Sequence, residues 1–433
     1  MMSTRAVVLG GSMAGLLAAR VLAETFTEVL VVDRDKLIGV TEPRRGVPQG
    51  RHIHGLLARG HQILDELFDG FTQDALAEGA LTGDLGEHRW FFAGQEAAKA
   101  VTGMKYISAT RPVLESFVRA RVAALGNVKF LEQHDIVGLV ASPDRTRITG
   151  ARVHAGSEAT LDADLVVDAT GRGSRTPAWL AELGYERPAE EQVKIDFSYT
   201  TRTYRLPDPS VMNGVKSVNP LPSPVTRRSA FFSAMENGTW VLSVGGVLGD
   251  RAPTDPDGFL DYVRSLPTPD IYRVVKDAEP LTEAVNFRYP VSIRPRYDKL
   301  TRLPAGFIVL GDAACSFNPV YGQGMTVAAQ EALVLREHTR RGIPDPHAFQ
   351  RAIAKVIDVP WGISAGGDLS FPEVEGKRPL QVRVLNGYMA KVMSAATKDP
   401  VVLSAFMRVA GLVDPPQALL KPPMLIRVLR QAR

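Results

Sequence analysis

At 433 residues the chain is long enough for roughly two or three domains at about 150 residues each. Its 51 Lys+Arg against 47 Asp+Glu leave a net charge of +4, too small for the dense basic stripe of a phosphate-tracking nucleic-acid binder. With 45% hydrophobic and 23% charged residues and a mean hydropathy near zero, the composition is that of a folded soluble enzyme rather than a disordered chain. The single cysteine, Cys315, excludes an internal disulfide framework and a Cys-rich zinc module and points to a reducing compartment, so the cytoplasm is the expected location. No apolar run reaches the ~18 residues of a spanning helix.

In chain order, Arg5 to Leu9 is a short apolar run that stops at Gly10-Gly11, too soon for the roughly 7 to 15 residues of a signal-peptide core, and reads as a buried strand. A helix follows from Met13 to Glu24, then a second unbroken apolar run, Val29 to Val32, ending in Asp33. Continuous Val and Leu fits parallel strands buried on both faces, so the opening is βαβ. A loop, a helix from Leu56 to Phe68 and a glycine-broken segment come next. A helix is predicted from Pro112 to Ala124, a strand over Val128 to Leu131, and another over Leu161 to Asp168 closing in Ala169-Thr170-Gly171.

From Val193 the pattern changes to period two, with Ile195, Phe197, Tyr199, Thr201 and Thr203 on one face, the mark of a half-exposed antiparallel sheet. Further strands are expected at Ala230 to Ala234, Thr239 to Leu248 and Val285 to Ile293. The continuous apolar type resumes at Gly306 to Leu310, before Gly311-Asp312 and a helix from Thr326 to Arg336. The rest reads as mostly helical, with breaks at Pro360, Gly366-Gly367 and Pro372.

Two stretches carry chemistry. Gly10-Gly11-Ser12-Met13-Ala14-Gly15 lies between strand and helix, and Asp33 ends the next strand at the spacing of the dinucleotide fingerprint. Gly10 permits the tight turn, Gly15 lets the helix approach the sheet, and free N–H groups at the helix start suit a pyrophosphate. Ser12 replaces the middle glycine, so its side chain has to turn away from the phosphates. A glycine turn that only packs a helix on a sheet has the same look. The second stretch runs from Gly311-Asp312-Ala313-Ala314 to Pro319-Val320-Tyr321-Gly322-Gln323-Gly324-Met325. It puts a carboxylate at a strand end and a glycine loop at a helix start, where N–H donors and the dipole favour an electron-rich ring.

These residues resemble the FAD-dependent monooxygenase superfamily of p-hydroxybenzoate hydroxylase type, and within it the polyether (lasalocid-type) flavin epoxidase branch. Three strings carry the likeness: Arg45-Gly46-Val47-Pro48-Gln49-Gly50-Arg51-His52-Ile53-His54, Leu165-Val166-Val167-Asp168-Ala169-Thr170-Gly171-Arg172-Gly173-Ser174, and Phe317-Asn318-Pro319-Val320-Tyr321-Gly322-Gln323-Gly324-Met325. The resemblance implies an α/β fold with a Rossmann-like FAD-binding domain (1–75, 100–178 and 295–340), an inserted antiparallel-sheet substrate domain (76–99 and 179–294) and a helical C-terminal region (341–433). It implies that Asp33, with Arg34 beside it, meets the adenosine ribose, and that Arg45 and Arg111 lie along FAD. Thr170-Gly171 joins them, Gly311 and Asp312 meet the ribityl chain, and Pro319, Gly322, Gly324 and Met325 lie at the pyrimidine edge.

The implied reaction is epoxidation or hydroxylation by one oxygen of O2 through a flavin C4a-hydroperoxide. The substrate expected is an apolar polyketide or terpenoid intermediate of secondary metabolism, as in antibiotic biosynthesis. Phe197, Tyr199, Phe231 and Trp240 are candidate pocket aromatics, though ordinary core explains them equally well. Such chemistry needs no side-chain nucleophile, and no catalytic residue is assigned.

One departure bears on electron supply. Thr170-Gly171 stands where the hydroxylases carry Asp-Gly, so reduction comes either from transient NAD(P)H docking or from a separate flavin reductase. Halogenases of related fold carry a Trp-x-Trp-x-Ile-Pro string, whereas the four tryptophans here, 90, 179, 240 and 361, lie far apart. His52, His54 and His61 lack a carboxylate or thiol at ligand spacing, so no metal is expected. Two rivals share the scaffold: a double-bond reductase resembling geranylgeranyl reductases, and a cyclase in which FAD is structural.

Overall fold

The computed structural model describes residues 4–431. Strand β1 (Arg5–Leu9), helix α1 (Met13–Leu22) and strand β2 (Glu28–Val32) form the expected βαβ unit, with Ala6 to Leu9 fully buried. Helices α2 (Ala58–Leu67) and α3 (Arg111–Ala123) precede β3 (Val128–Leu131) and β4 (Leu165–Asp168). The chain then builds β5 (Phe197–Arg205), β6 (Arg228–Ala234), β7 (Thr239–Gly246), helix α4 (Pro256–Arg264) and β8 (Val285–Tyr289). It returns through β9 (Phe307–Val309) to α5 (Gly324–Thr339) and α6 (Pro346–Asp368). Three more helices close the chain: α7 (Leu380–Ala396), α8 (Pro400–Ala410) and α9 (Pro422–Gln431).

The first sheet is parallel and runs β9-β4-β1-β2-β3. Leu9 stands in register with both Val32 and Asp168, so the strands end together and release Gly10, Asp33, Ala169 and Gly311 along one edge. Strand order reverses beside β1, the switch point at which open α/β sheets bind ligands. The eight-stranded second sheet centres on antiparallel β8-β5-β7-β6 and recruits Arg89–Phe92 from much earlier in the chain, by parallel pairing with Ser217–Pro220. One of its faces packs Phe232, Trp240 and Leu242 on Phe259 and Val263 of α4 as a separate core. The other face looks toward the parallel sheet's open edge. Among the described residues no helix is long and apolar enough to cross a membrane.

Three expectations fail. The strand expected from Val285 to Ile293 stops at Tyr289, and after Pro290-Val291 a separate strand, Ser292–Pro295, pairs with Glu190–Val193 instead of β5. The strand expected from Leu161 to Asp168 is two strands. Leu161 pairs with Ala151 in an antiparallel meander (Asp135–Ala141, Ile148–Ala155, Ser157–Asp162), and the polar Asp162-Ala163-Asp164 turn separates it from β4. Helix α6 runs unbroken through Pro360 and Gly366-Gly367. A mid-helix proline costs about 3 kcal/mol. Pro360 is nonetheless buried on the stripe Ile353, Ile357, Ser364 and Ala365, and packing of that stripe outweighs propensity.

Candidate cofactor and substrate cleft

One end of the site begins at the turn after β1. Gly10 has φ +103°, and a Cβ there would stand 2.4 Å from the Ala169 carbonyl oxygen, while one at Gly15 would stand 1.8 Å from that of Gly10. Both glycines therefore serve close approach. The Gly11 N–H donates to Asp33 Oδ2 at 2.7 Å and the Asp35 N–H to Oδ1 at 2.8 Å, which fixes the Asp33 carboxylate beside the turn. Helix α1 has no side-chain cap, leaving its first N–H groups open beside Met13 and Ala14.

Ser12 turns aside as expected: its Oγ donates to Glu115 Oε2 at 2.6 Å and accepts from Arg111 Nη2 at 2.9 Å. Glu115, on α3, also accepts from Arg44 at 2.6 Å and Arg119 at 2.8 Å. Burial pushes the Glu115 carboxyl up, but Arg111, Arg44 and the Ser12 hydroxyl overrule it and hold it at about 2. This buried cluster clamps the glycine turn to α3. Arg44, Glu115 and Arg119 were not expected here, although Glu115 lies four residues after Arg111, the spacing of a helical ion pair.

The far end begins after β9. Gly311 has φ +66°, a Cβ there would meet Ala14 Cβ at 2.6 Å, and its N–H donates to buried Glu331 Oε2 at 2.6 Å. The Asp312 carboxylate faces the cleft and accepts no hydrogen bond from the described residues. Burial raises its affinity for a proton, and Arg111 and Arg172 oppose that. Gly322 has φ +64°, and α5 opens without a side-chain cap. Between the two ends, the Thr170 N–H and Oγ both bond Asp168 Oδ1, and Ser174 and Thr176 bond Oδ2, so Asp168 holds the Thr170-Gly171 turn.

These pieces border one cleft of about 630 Å³, within the range of small-molecule sites. Gly10, Ser12, Met13, Ala14, Asp33, Arg34 and Arg111 line the end beside β1, and Thr170, Gly171, Asp312, Pro319, Gly322, Gly324 and Met325 line the rest. Gly15 and Gly311 stand just behind the wall. Arg45 is exposed and outside it, because the chain turns the neighbouring Arg44 inward to Asp33, Asp35 and Glu115.

Of the four candidate pocket aromatics, Tyr199 alone borders the cleft. Trp240 registers with Tyr204 and faces α4; Phe231 registers with Ser243 beyond the cleft wall; Phe197 packs with Ala365 and Phe371. Phe287, Tyr289, Ile53 and His54 complete the roof; Phe287 lies on an expected strand, but its pairing with Tyr199 depends on a register that the sequence does not specify.

His52 packs edge-on against Tyr199 at 4.5 Å and bonds Thr201 Oγ at 2.7 Å through Nδ1. Burial, then His54 and Arg51, push its pKa down to about 3. His54 falls to about 4, through burial and Arg111, and its Nδ1 pairs with the His52 carbonyl at 3.0 Å. Both rings are neutral at pH 7, and with Nδ1 donating to the His52 carbonyl the His54 Nε2 is an acceptor.

Comparison with known proteins shows the fold and the family. Over 94% of its length the chain is 34% identical to Protein Rv3254 of Mycobacterium tuberculosis, covering 90% of that protein. Three solved structures share the fold at 16% identity. A flavoprotein/dehydrogenase from Cytophaga hutchinsonii has a TM-score of 0.72 (99% of this chain, 98% of that one). The flavin-dependent brominase Bmp2 has 0.66 (94% of each). The p-nitrophenol 4-monooxygenase PnpA from Pseudomonas putida has 0.64 (95% and 99%). A family model described as FAD dependent oxidoreductase matches residues 6–260, more than half of the sequence and all of its glycine turn, and the chain belongs to that family.

Proposed function

We propose that the protein is an FAD-dependent monooxygenase that hydroxylates or epoxidises an apolar small molecule. The observation that carries the reading is a single cleft with a cofactor-like floor and an aromatic roof. Two uncapped helix starts and the unpartnered Asp312 carboxylate face it from below, and Tyr199, Phe287 and Tyr289 face it from above. The donor set fits FAD. The α1 N–H groups and Arg111 suit a pyrophosphate, Asp33 a ribose, Asp312 ribityl hydroxyls, and the α5 start an electron-rich pyrimidine edge.

FAD, once reduced, supplies with dioxygen an electrophilic oxygen atom. The chain's own work is to bind, orient and exclude water. Its two neutral imidazoles add no charge beside Tyr199 and Phe287, which suits an electron-rich alkene or arene there, and the Arg172 guanidinium lies over the Tyr289 ring at 4.3 Å. Electrons come from NAD(P)H or a separate flavin reductase, and the lone, buried Cys315 suits the cytoplasm.

The decisive experiment incubates the reduced holoenzyme with a panel of alkenes and phenols under labelled dioxygen. One labelled atom in the product is the expected result. A product that gains hydrogens without oxygen identifies the reductase reading, and an isomer of the substrate formed with FAD left oxidised identifies the cyclase; either outcome ends the monooxygenase proposal.

A further inference from the structure

Two buried side chains, Asn318 and Asp368, and the half-buried Tyr321 meet where α6 ends. Asp368, 1% exposed, accepts at Oδ1 from Asn318 Nδ2 at 2.8 Å and from Tyr321 Oη at 3.1 Å, while its buried Oδ2 has no partner. Gly367 is glycine because a Cβ there would stand 2.2 Å from Tyr321 Oη, so the phenol sits directly on the helix. Asn318 uses its own Oδ1 to accept the Val320 N–H at 3.1 Å. One carboxylate oxygen thus ties the 318–322 turn to α6, and that turn gives Asn318, Pro319 and Gly322 to the cleft wall.

We propose that Asp368 is a positioning residue for the flavin: through Asn318 and Tyr321 it holds the 318–322 turn against the pyrimidine edge and so sets how tightly FAD is bound, in a pH-dependent way. The proposal rests on the FAD assignment above and adds a residue that touches no part of the cleft.

The electrostatics give the sign. Tyr321 is the titratable side chain in contact with Asp368, itself raised by burial and by the carboxylate. Arg378, on the following segment, is turned to the carbonyls of Leu369, Phe371 and Val374 instead. The α6 C-terminus adds its negative dipole end. Burial pushes the Asp368 carboxyl up to about 7, against the two hydrogen bonds that favour its ionised form. Ionised, it accepts two charge-assisted bonds; protonated, it accepts weaker ones and adds an O–H with no acceptor on Oδ2. The turn is therefore held more firmly above pH 7 than below it. Glu331, on α5 behind Gly311 and raised to about 8 by burial, titrates separately and keeps its bond to the Gly311 N–H when Asp368 is changed.

The test titrates apoprotein with FAD by flavin fluorescence between pH 6 and 8.5, for the wild type, Asp368→Asn and Tyr321→Phe. The wild type is expected to bind about fivefold more tightly at pH 8 than at pH 6, since charge-assisted bonds are roughly twice as strong as neutral ones. Asp368→Asn should lose the transition near pH 7 and keep any near 8. Tyr321→Phe, which stands in should Asp368→Asn fail to fold, should weaken binding more at pH 8 than at pH 6. A wild-type profile flat below pH 7.5, or a variant with the wild-type slope, overturns the proposal while FAD binding itself stands. A wild type that binds no FAD at any pH removes the cofactor assignment first.

Discussion

At the scale of single residues, the half-buried Asp312 and the buried Glu115 do opposite things. Asp312 has no hydrogen-bond donor among the described residues and turns to the cleft, so its energy is available to a ligand. Hydrogen bonds to charged groups are worth about 1.5–3 kcal/mol, so Asp312→Ala is expected to weaken FAD about ten- to hundredfold with the fold intact, as read by fluorescence titration. Glu115 has four donors and no capacity left for a ligand. Neutralising it leaves Arg44, Arg111 and Arg119 crowded around a missing anion, so Glu115→Gln should cost about 3–5 kcal/mol in urea unfolding at pH 7. The sign with pH follows from its folded value of about 2, below the ~4.3 of a free glutamate. The carboxylate's contribution is complete above pH 4.3 and is lost as pH falls toward 2, so wild type and variant should converge in acid. Unfolding curves that stay equally far apart from pH 7 to pH 2.5 would refute the clamp.

At the scale of elements, the packing of α1 on β1 is set by one missing methyl group. A Cβ at Gly15 would lie inside the Gly10 carbonyl, backbone against backbone, with no side chain free to yield. Gly15→Ala should therefore push α1 off the sheet, cost about 3 kcal/mol or more and abolish FAD binding; a urea midpoint equal to that of the wild type would contradict the contact. This close approach was legible because the glycines, the apolar run and Asp33 lie within one βαβ unit, where spacing alone fixes geometry. The Arg44–Glu115–Arg119 cluster was not, because it joins a loop to a helix across a gap in sequence that no local pattern spans.

The roof shows a different limit. Period two correctly put Tyr199 and Thr201 on one face of β5, but which residues of β7 share that face depends on the register of the pairing. Thr201 meets Ser243 and Tyr204 meets Trp240, which sends the tryptophan to α4. Likewise Pro360 and Gly366-Gly367 carry helix-breaking propensities that only the buried stripe beneath them overrides.

At the scale of the whole molecule, the cleft is an outcome of strand order. β2 delivers Asp33 on one side of β1, and β9, from the other end of the sequence, delivers Asp312 on the opposite side. A ligand that reaches both must be long, and under the FAD proposal its adenosine end lies at Asp33, which separates FAD from FMN. Ligand at 100 times its dissociation constant stabilises a native state by about 2.7 kcal/mol. At one fixed concentration, FAD should therefore raise the melting temperature of apoprotein clearly more than FMN, whose missing adenosine leaves Asp33 and the neighbouring cleft empty. The two carboxylates can then be separated by a cycle. Asp33→Ala should reduce the FAD shift toward the FMN level and leave the FMN shift unchanged, whereas Asp312→Ala should reduce both. If Asp33→Ala weakens FMN as much as FAD, its carboxylate supports the fold rather than a ribose, and the placement of the nucleotide at that end of the cleft is wrong.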